Sequence, residues 1–234
     1  MKEIGGATFT HCTLAGAECS HVAMGAHPGC LFPQKGRLRK FPVREVVFHQ
    51  DTGCRGLYRL REGLMALRRY HPDGQRSVVR VVRPGEIVGW ADAFITGQHR
   101  WEGWMLTAGS LWYMPAVEWS ALHPGDAQVH ILSLAYAESR RLESALLGLS
   151  RLRAEDRVLF FLFSLAENPV DFPAVVDISV RRGDIAEVAA ITAESCSRVL
   201  QRLEKRGWVT WLNPRTMVLD EAAAARVAEV VDWY

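Results

Sequence analysis

The stretch Arg181 to Gly207, RRGDIAEVAAITAESCSRVLQRLEKRG, admits few folds. Ile185, Val188 and Ala189 fall at helical spacing on one face, and the pattern then breaks at Ala190-Ile191-Thr192. Thr192 can cap a new helix, because its hydroxyl accepts from the first unpaired backbone N–H groups. In that second helix Cys196, Val199, Leu200 and Leu203 form the apolar stripe. Arg198, Arg202, Lys205 and Arg206 are left to face outward, and Gly207 supplies a left-handed stop. The prediction is two short helices joined by a tight turn.

An ordinary amphipathic helical hairpin would share this periodicity. The segment after Gly207 separates the two readings. Trp208–Leu212 and Thr216–Leu219 are short β-type runs around Asn213-Pro214-Arg215, a turn sequence. Helix, turn, helix and β-hairpin in that order is the plan of a winged helix-turn-helix. Such a motif lays its second helix in the DNA major groove, with the N-terminal residues against base edges. Here those residues are Glu194, Ser197 and Arg198. Arginine can donate two parallel bonds to guanine, glutamate can accept from cytosine, and serine can do either. Thr192 at the cap and Arg181 and Arg182 at the entry complete the predicted DNA-binding set.

Charge limits this reading. From residue 151 onward the chain carries 11 basic and 13 acidic side chains, and the whole chain has a formal net charge of only +2. Non-specific affinity comes from phosphate neutralisation, so the positive charge has to be focused locally. Arg181, Arg182 and the run from Arg198 to Arg206 are the residues placed to do that. No run approaches the length of a membrane span, and the N-terminus lacks a secretory pattern, so the expected location is the cytoplasm.

Before this segment the pattern is different. From Phe41 to about Leu122 short runs (Val46–Phe48, Gly56–Leu60, Leu64–Leu67, Val78–Val82) alternate with Gly, Pro and Asp turns, as in a β-sandwich or jelly roll. Trp90, Trp101, Trp104, Trp112 and Trp119 are read as packing residues and not as a ligand cage. From Asp126 to Leu152 the pattern is helical, with Val129, Leu132, Leu134, Tyr136, Leu142, Leu146, Leu147 and Leu149 apolar. Further helices are expected over Ala154–Ala166 and Glu221–Val231.

Four of the five cysteines lie in the first quarter: Cys12, Cys19, Cys30 and Cys54. Clustered loop cysteines in a reducing compartment point to metal or redox chemistry more than to disulfides. Four thiolates can hold an iron–sulfur cluster or a tetrahedral zinc. The spacing C-x6-C-x10-C is not that of a zinc ribbon. His49, His71, His99, His123 and His130 would be the ligands of a cupin-like metalloenzyme, but that chemistry needs a close H-x-H pair and none occurs. No nucleophile triad or paired carboxylate stands out, and the chain is not read as an enzyme.

The C-terminal third resembles the DNA-binding domain of the CRP/FNR superfamily of bacterial transcription regulators, the FNR-like branch in particular. Arg182-Gly183-Asp184-Ile185 opens the first helix as in that branch, and Glu194, Ser197 and Arg198 reproduce its E-x-x-S-R pattern. Ala193 stands where the cyclic-AMP receptor branch has an arginine. Arg83-Pro84-Gly85-Glu86-Ile87-Val88-Gly89 occupies the place of the superfamily's strand connection in the effector domain. Trp90 replaces the glutamate that would hold a ribose, and Arg100 is followed by Trp101 where an Arg-Ser pair would hold a phosphate. Cyclic AMP is therefore not the expected ligand.

The resemblance implies an α+β fold: an N-terminal β-roll (jelly-roll) sensor domain, a long dimerisation helix and a C-terminal winged helix-turn-helix. The expected boundaries are a cysteine-bearing segment at 1–40, the β-roll at 41–125, the helix at 126–152 and the winged helix at 153–234. It also implies a [4Fe–4S] cluster on three N-terminal cysteines and one in the β-roll. Trp112 stands at the strand position of that last ligand, so Cys54 is the substitute. Zinc, haem or a small ligand in the β-roll are the alternatives. The implied partners are a palindromic FNR-like duplex, a second copy of the chain and RNA polymerase, with no membrane.

Overall fold

The computed structural model describes Phe32 and residues 36–74, 76–121, 124–166, 173–177 and 180–231. The described residues fall into two compact units: those up to Tyr70 with Val81–Ala137, and His71–Arg80 with those from Glu138 onward. Cys12, Cys19, Cys30 and His123 lie outside the described residues, as does the side chain of His130.

Eight strands build two antiparallel sheets. They are β1 (Arg37–Phe41), β2 (Val46–Phe48), β3 (Gly56–Glu62), β4 (Met65–Tyr70), β5 (Arg76–Val82), β6 (Ile87–Val88), β7 (Glu102–Met105) and β8 (Gly109–Pro115). One sheet runs β1-β8-β3-β6 and the other β2-β7-β4-β5, the expected roll. Phe48, Leu60, Met65, Leu67, Val82, Val88, Met105 and Leu111, from both sheets, form one core. Each such side chain contributes roughly 1.5–3 kcal/mol on full burial. A second core gathers Phe32, Leu57, Ile87, Met114 and Trp119, with Leu134 packed on it.

Two strands of the roll differ from the sequence expectation. β1 begins at Arg37, inside the segment assigned to the cysteine-bearing N-terminus; as a charged edge strand, RLRKF, it shows no apolar run. β7 was not anticipated, because Glu102-Gly103-Trp104-Met105 is buried at every position and does not alternate. A Cβ on Gly103 would sit 2.6 Å from the Phe48 ring, so only glycine lets these strands approach so closely. The tryptophans pack as expected: Trp104 and Trp119 are buried, and Trp90, Trp101 and Trp112 lie against the two cores.

Helix α1 (Ala116–Ser120) is followed by the long helix α2 (Pro124–Arg151). The second unit then contains α3 (Ala154–Phe163), β9 (Ala174–Asp177), α4 (Arg182–Val188), α5 (Ala193–Lys205), β10 (Val209–Asn213), β11 (Thr216–Leu219) and α6 (Glu221–Val231). β10 and β11 form the expected hairpin, and β9 extends it to a three-stranded antiparallel sheet of order β10-β11-β9. Buried Asp156 on α3 accepts two bonds from Arg226 on α6, Nε at 2.8 Å and Nη2 at 3.1 Å, which ties the unit's first and last helices.

Candidate nucleic-acid interface

Helix α4 is capped at Arg181, whose backbone N–H donates to the buried Asp184 carboxylate at 3.1 Å. It ends in a Schellman-type turn: Ala189 is the C-cap, Ala190 is left-handed at φ 52°, and the Ile191 N–H donates to the Ala186 carbonyl at 3.0 Å. Thr192 then caps α5, its hydroxyl oxygen accepting from the Ser195 N–H at 3.1 Å. Cys196, Val199, Leu200 and Leu203 are all buried, as their spacing predicts. Burial pushes the Cys196 thiol up, so it is a packing group and not a thiolate. The buried stripe fixes which face of α5 is turned outward.

On the outer face Glu194 and Arg198 are 78% and 56% exposed, and Arg198 Nη1 donates to Glu194 Oε1 at 2.5 Å. Ser197 uses its proton on the Ala193 carbonyl one turn back, 3.1 Å away, which leaves its oxygen lone pairs for a donor. One contact was not anticipated. The Ser195 hydroxyl oxygen accepts from Thr192 Oγ1 at 3.0 Å and from Arg198 Nη2 at 3.2 Å. Spacing i, i+3 to Arg198 and i−3 to Thr192 is the sequence signal that marks it.

The basic run faces outward as expected. Within it Arg202 and Arg206 also pair with Glu155 on α3, and Arg206 lies over Trp208. Their charge serves to fix α5 to α3. Arg182 is exposed, with its guanidinium 5.9 Å from the ring centre of Trp211 on β10, so the entry to α4 adjoins the wing. The α5 helix closes with Gly207 at φ 73°, where the Trp208 N–H reaches the Leu203 carbonyl at 3.0 Å.

In the roll, a short π-type turn at Asp92–Thr96 leads to a buried polar group. Arg100 donates to Asp92 twice, through Nε at 2.8 Å and the backbone N–H at 3.3 Å. Its charge is thus met by a carboxylate of its own loop. Buried His99 stacks on Phe48 with ring centres 4.1 Å apart, and its Nδ1 lies 4.0 Å from Asp92.

Of the four cysteines proposed to hold a metal, only Cys54 lies among the described residues. The buried Cys54 thiol contacts the Gly56 and Gly89 carbonyls, each at 3.5 Å. Burial pushes its pKa up, which favours the thiol over the thiolate a metal needs. In this structure Cys54 is thus a buried, protonated thiol beside two backbone carbonyls. Among the described residues no three His, Cys, Asp or Glu side chains converge as a metal site. His49 faces Glu102 and His71 faces Ser77, so these histidines do not make the cupin-like set.

Comparison with known proteins agrees with this layout. Residues 38–124 match the cyclic nucleotide-binding domain family, and residues 156–226 match the Crp-like helix-turn-helix domain family. The chain is 25% identical over 202 residues to the nitrogen fixation regulation protein FixK of Bradyrhizobium diazoefficiens, covering 84% of each. It is 28% identical over 197 residues to the transcriptional regulator LdrP of Thermus thermophilus, covering 82% of this chain and 96% of that one. The crystal structure of a CRP-family transcriptional regulator from Thermus thermophilus superposes with a TM-score of 0.68 at 26% identity, covering 82% and 96% of the two chains. No helix among the described residues is long and apolar enough to cross a membrane. With a cyclic nucleotide-binding domain placed before a Crp-like helix-turn-helix, and relatives that are regulators of this type, the chain belongs to the CRP/FNR superfamily of transcription regulators.

Proposed function

We propose that the protein is a homodimeric regulator that reads a palindromic duplex through α5, with Glu194, Ser197 and Arg198 against base edges and Arg181, Arg182 and Thr192 at the phosphates. The observation that carries this reading is the outer face of α5. Its first two turns present an exposed acceptor and an exposed guanidinium, opposite a stripe that is buried at every position. Dimer pairing is assigned to α2, where Leu132, Ala135, Ser139, Leu142, Leu146 and Leu149 are exposed at alternating three- and four-residue spacing. RNA polymerase is the protein partner of a regulator acting at promoters. Arg198→Ala is expected to weaken binding to the selected duplex by about 1–3 kcal/mol and to relax one base position. Unchanged affinity for every base variant would refute base reading by Arg198.

The signal is assigned to redox state or oxygen, sensed at the N-terminal cysteines. A [4Fe–4S] cluster would rest on Cys12, Cys19, Cys30 and Cys54, the last giving up its thiol proton on binding. Such a group would supply an oxygen-labile centre. Anaerobic purification followed by iron, sulfide and zinc analysis tests it. A metal-free protein that binds DNA equally with and without air contradicts it, and a sharp Soret band would assign haem instead.

A further inference from the structure

We infer that Ser195, a residue outside the E-x-x-S-R pattern, is a positioning residue that fixes the Arg198 guanidinium for base reading; this rests on the proposed DNA-reading role of α5. Two contacts converge on the Ser195 hydroxyl oxygen, and a third holds the other side of Arg198. Thr192 Oγ1 donates to Ser195 Oγ at 3.0 Å, and Arg198 Nη2 donates to the same oxygen at 3.2 Å. Arg198 Nη1 is meanwhile held by Glu194 Oε1 at 2.5 Å.

A serine oxygen has two lone pairs, and both have donors here. Ser195 is thereby fixed from the cap side by Thr192, and it passes that constraint to Arg198. Glu194 alone would leave the guanidinium free to turn about its single attached nitrogen. Two acceptors, one on each terminal nitrogen, set the plane of the group. A bidentate contact to guanine needs a set plane, since both N–H bonds must be parallel to the base edge at once. An arginine held this way before binding loses less conformational freedom on contact. The constraint is directed toward the helix N-terminus, because both acceptors precede Arg198 in the chain.

The geometry also separates this role from a structural one. The cap bond is donated by the Ser195 backbone N–H, not by its side chain. Ser195→Ala therefore keeps the cap and removes only the hydroxyl bridge. Ser195→Thr keeps both.

The probe is a two-fold-symmetric duplex selected by the wild-type protein from a randomised library, together with all its single-base variants, read by fluorescence anisotropy. Ser195→Ala is expected to reduce discrimination three- to tenfold at the same position that Arg198→Ala flattens, with binding to an unrelated duplex and Tm unchanged. Ser195→Thr should restore the profile. In an Arg198→Ala background, Ser195→Ala should have no further effect. If Arg198→Ala flattens one position while Ser195→Ala leaves the profile intact, or acts equally without Arg198, the positioning role is wrong and base reading stands. If the wild type selects no consensus, or Arg198→Ala flattens nothing, base reading itself fails and this inference falls with it.

Discussion

Ala190 and Gly207 end the two helices of the reading motif with the same left-handed turn, yet only one of them is a glycine. A Cβ in that conformation costs roughly 1–2 kcal/mol, while glycine costs about 0.5–1 kcal/mol through its freer unfolded chain. Ala190 is exposed, so its methyl group contributes little packing. Ala190→Gly is therefore expected to stabilise the C-terminal unit by about 0.5–1 kcal/mol, measured by urea denaturation; a loss of stability would contradict the assigned turn. His99 is the second residue with a readable consequence. Burial pushes its pKa below the usual 6.5, against a weaker upward pull from Asp92. The groups facing it are Asp92, Phe48 and Tyr58. The folded state keeps the ring neutral while the unfolded chain takes up a proton below about pH 6.5, so stability falls as pH drops through that value. Tm should decline between about pH 7.5 and 5.5, and His99→Gln should reduce that decline. An identical decline in the variant would exclude His99 as its source.

At the scale of elements, α5 was legible because its signal is local. A cap residue, a stripe at i, i+3, i+4 and i+7, and a terminal glycine all lie within one stretch, and each took its expected place. The wing hairpin was legible for the same reason. β9 was not, because a four-residue strand carries no signature until β11 pairs with it. Nor could the partners of Arg202 and Arg206 be read, since Glu155 is about fifty residues away in sequence and only the packed fold brings it near. Most of the proposed DNA-reading face could thus be named from the sequence, and Ser195 was missed because its spacing to Thr192 and Arg198 is one that any helical residue has with its neighbours, and only the folded side chains show the contacts. Helix α2 carries the element-scale prediction. Leu132, Leu142, Leu146 and Leu149 are all more than half exposed along one heptad seam. Leu146→Glu is expected to convert a dimer to a monomer in sedimentation velocity. A wild type that sediments as a monomer at micromolar concentration would remove α2 as a dimer seam.

For the whole molecule the balance of charge decides how DNA can be held. A formal net charge of +2 provides little general attraction for a polyanion. Within the C-terminal unit Arg202, Arg206 and Arg226 are already engaged by Glu155 and Asp156. In the proposed dimer, affinity comes from a few placed groups counted twice, once per copy, since one recognition helix alone reads few bases. Two-fold pairing doubles both the base contacts and the phosphate contacts on a symmetric site. The two units also divide the work: a β-roll whose Arg100 is satisfied internally, and a winged helix whose outer face is open. The most direct test is the affinity for the selected palindromic duplex against the same duplex with one half-site scrambled. A dimer reading both halves predicts a loss of at least about a hundredfold, about 2.7 kcal/mol, a share of the roughly 4–10 kcal/mol that separates specific from non-specific binding. Equal affinity for the two duplexes would contradict the account.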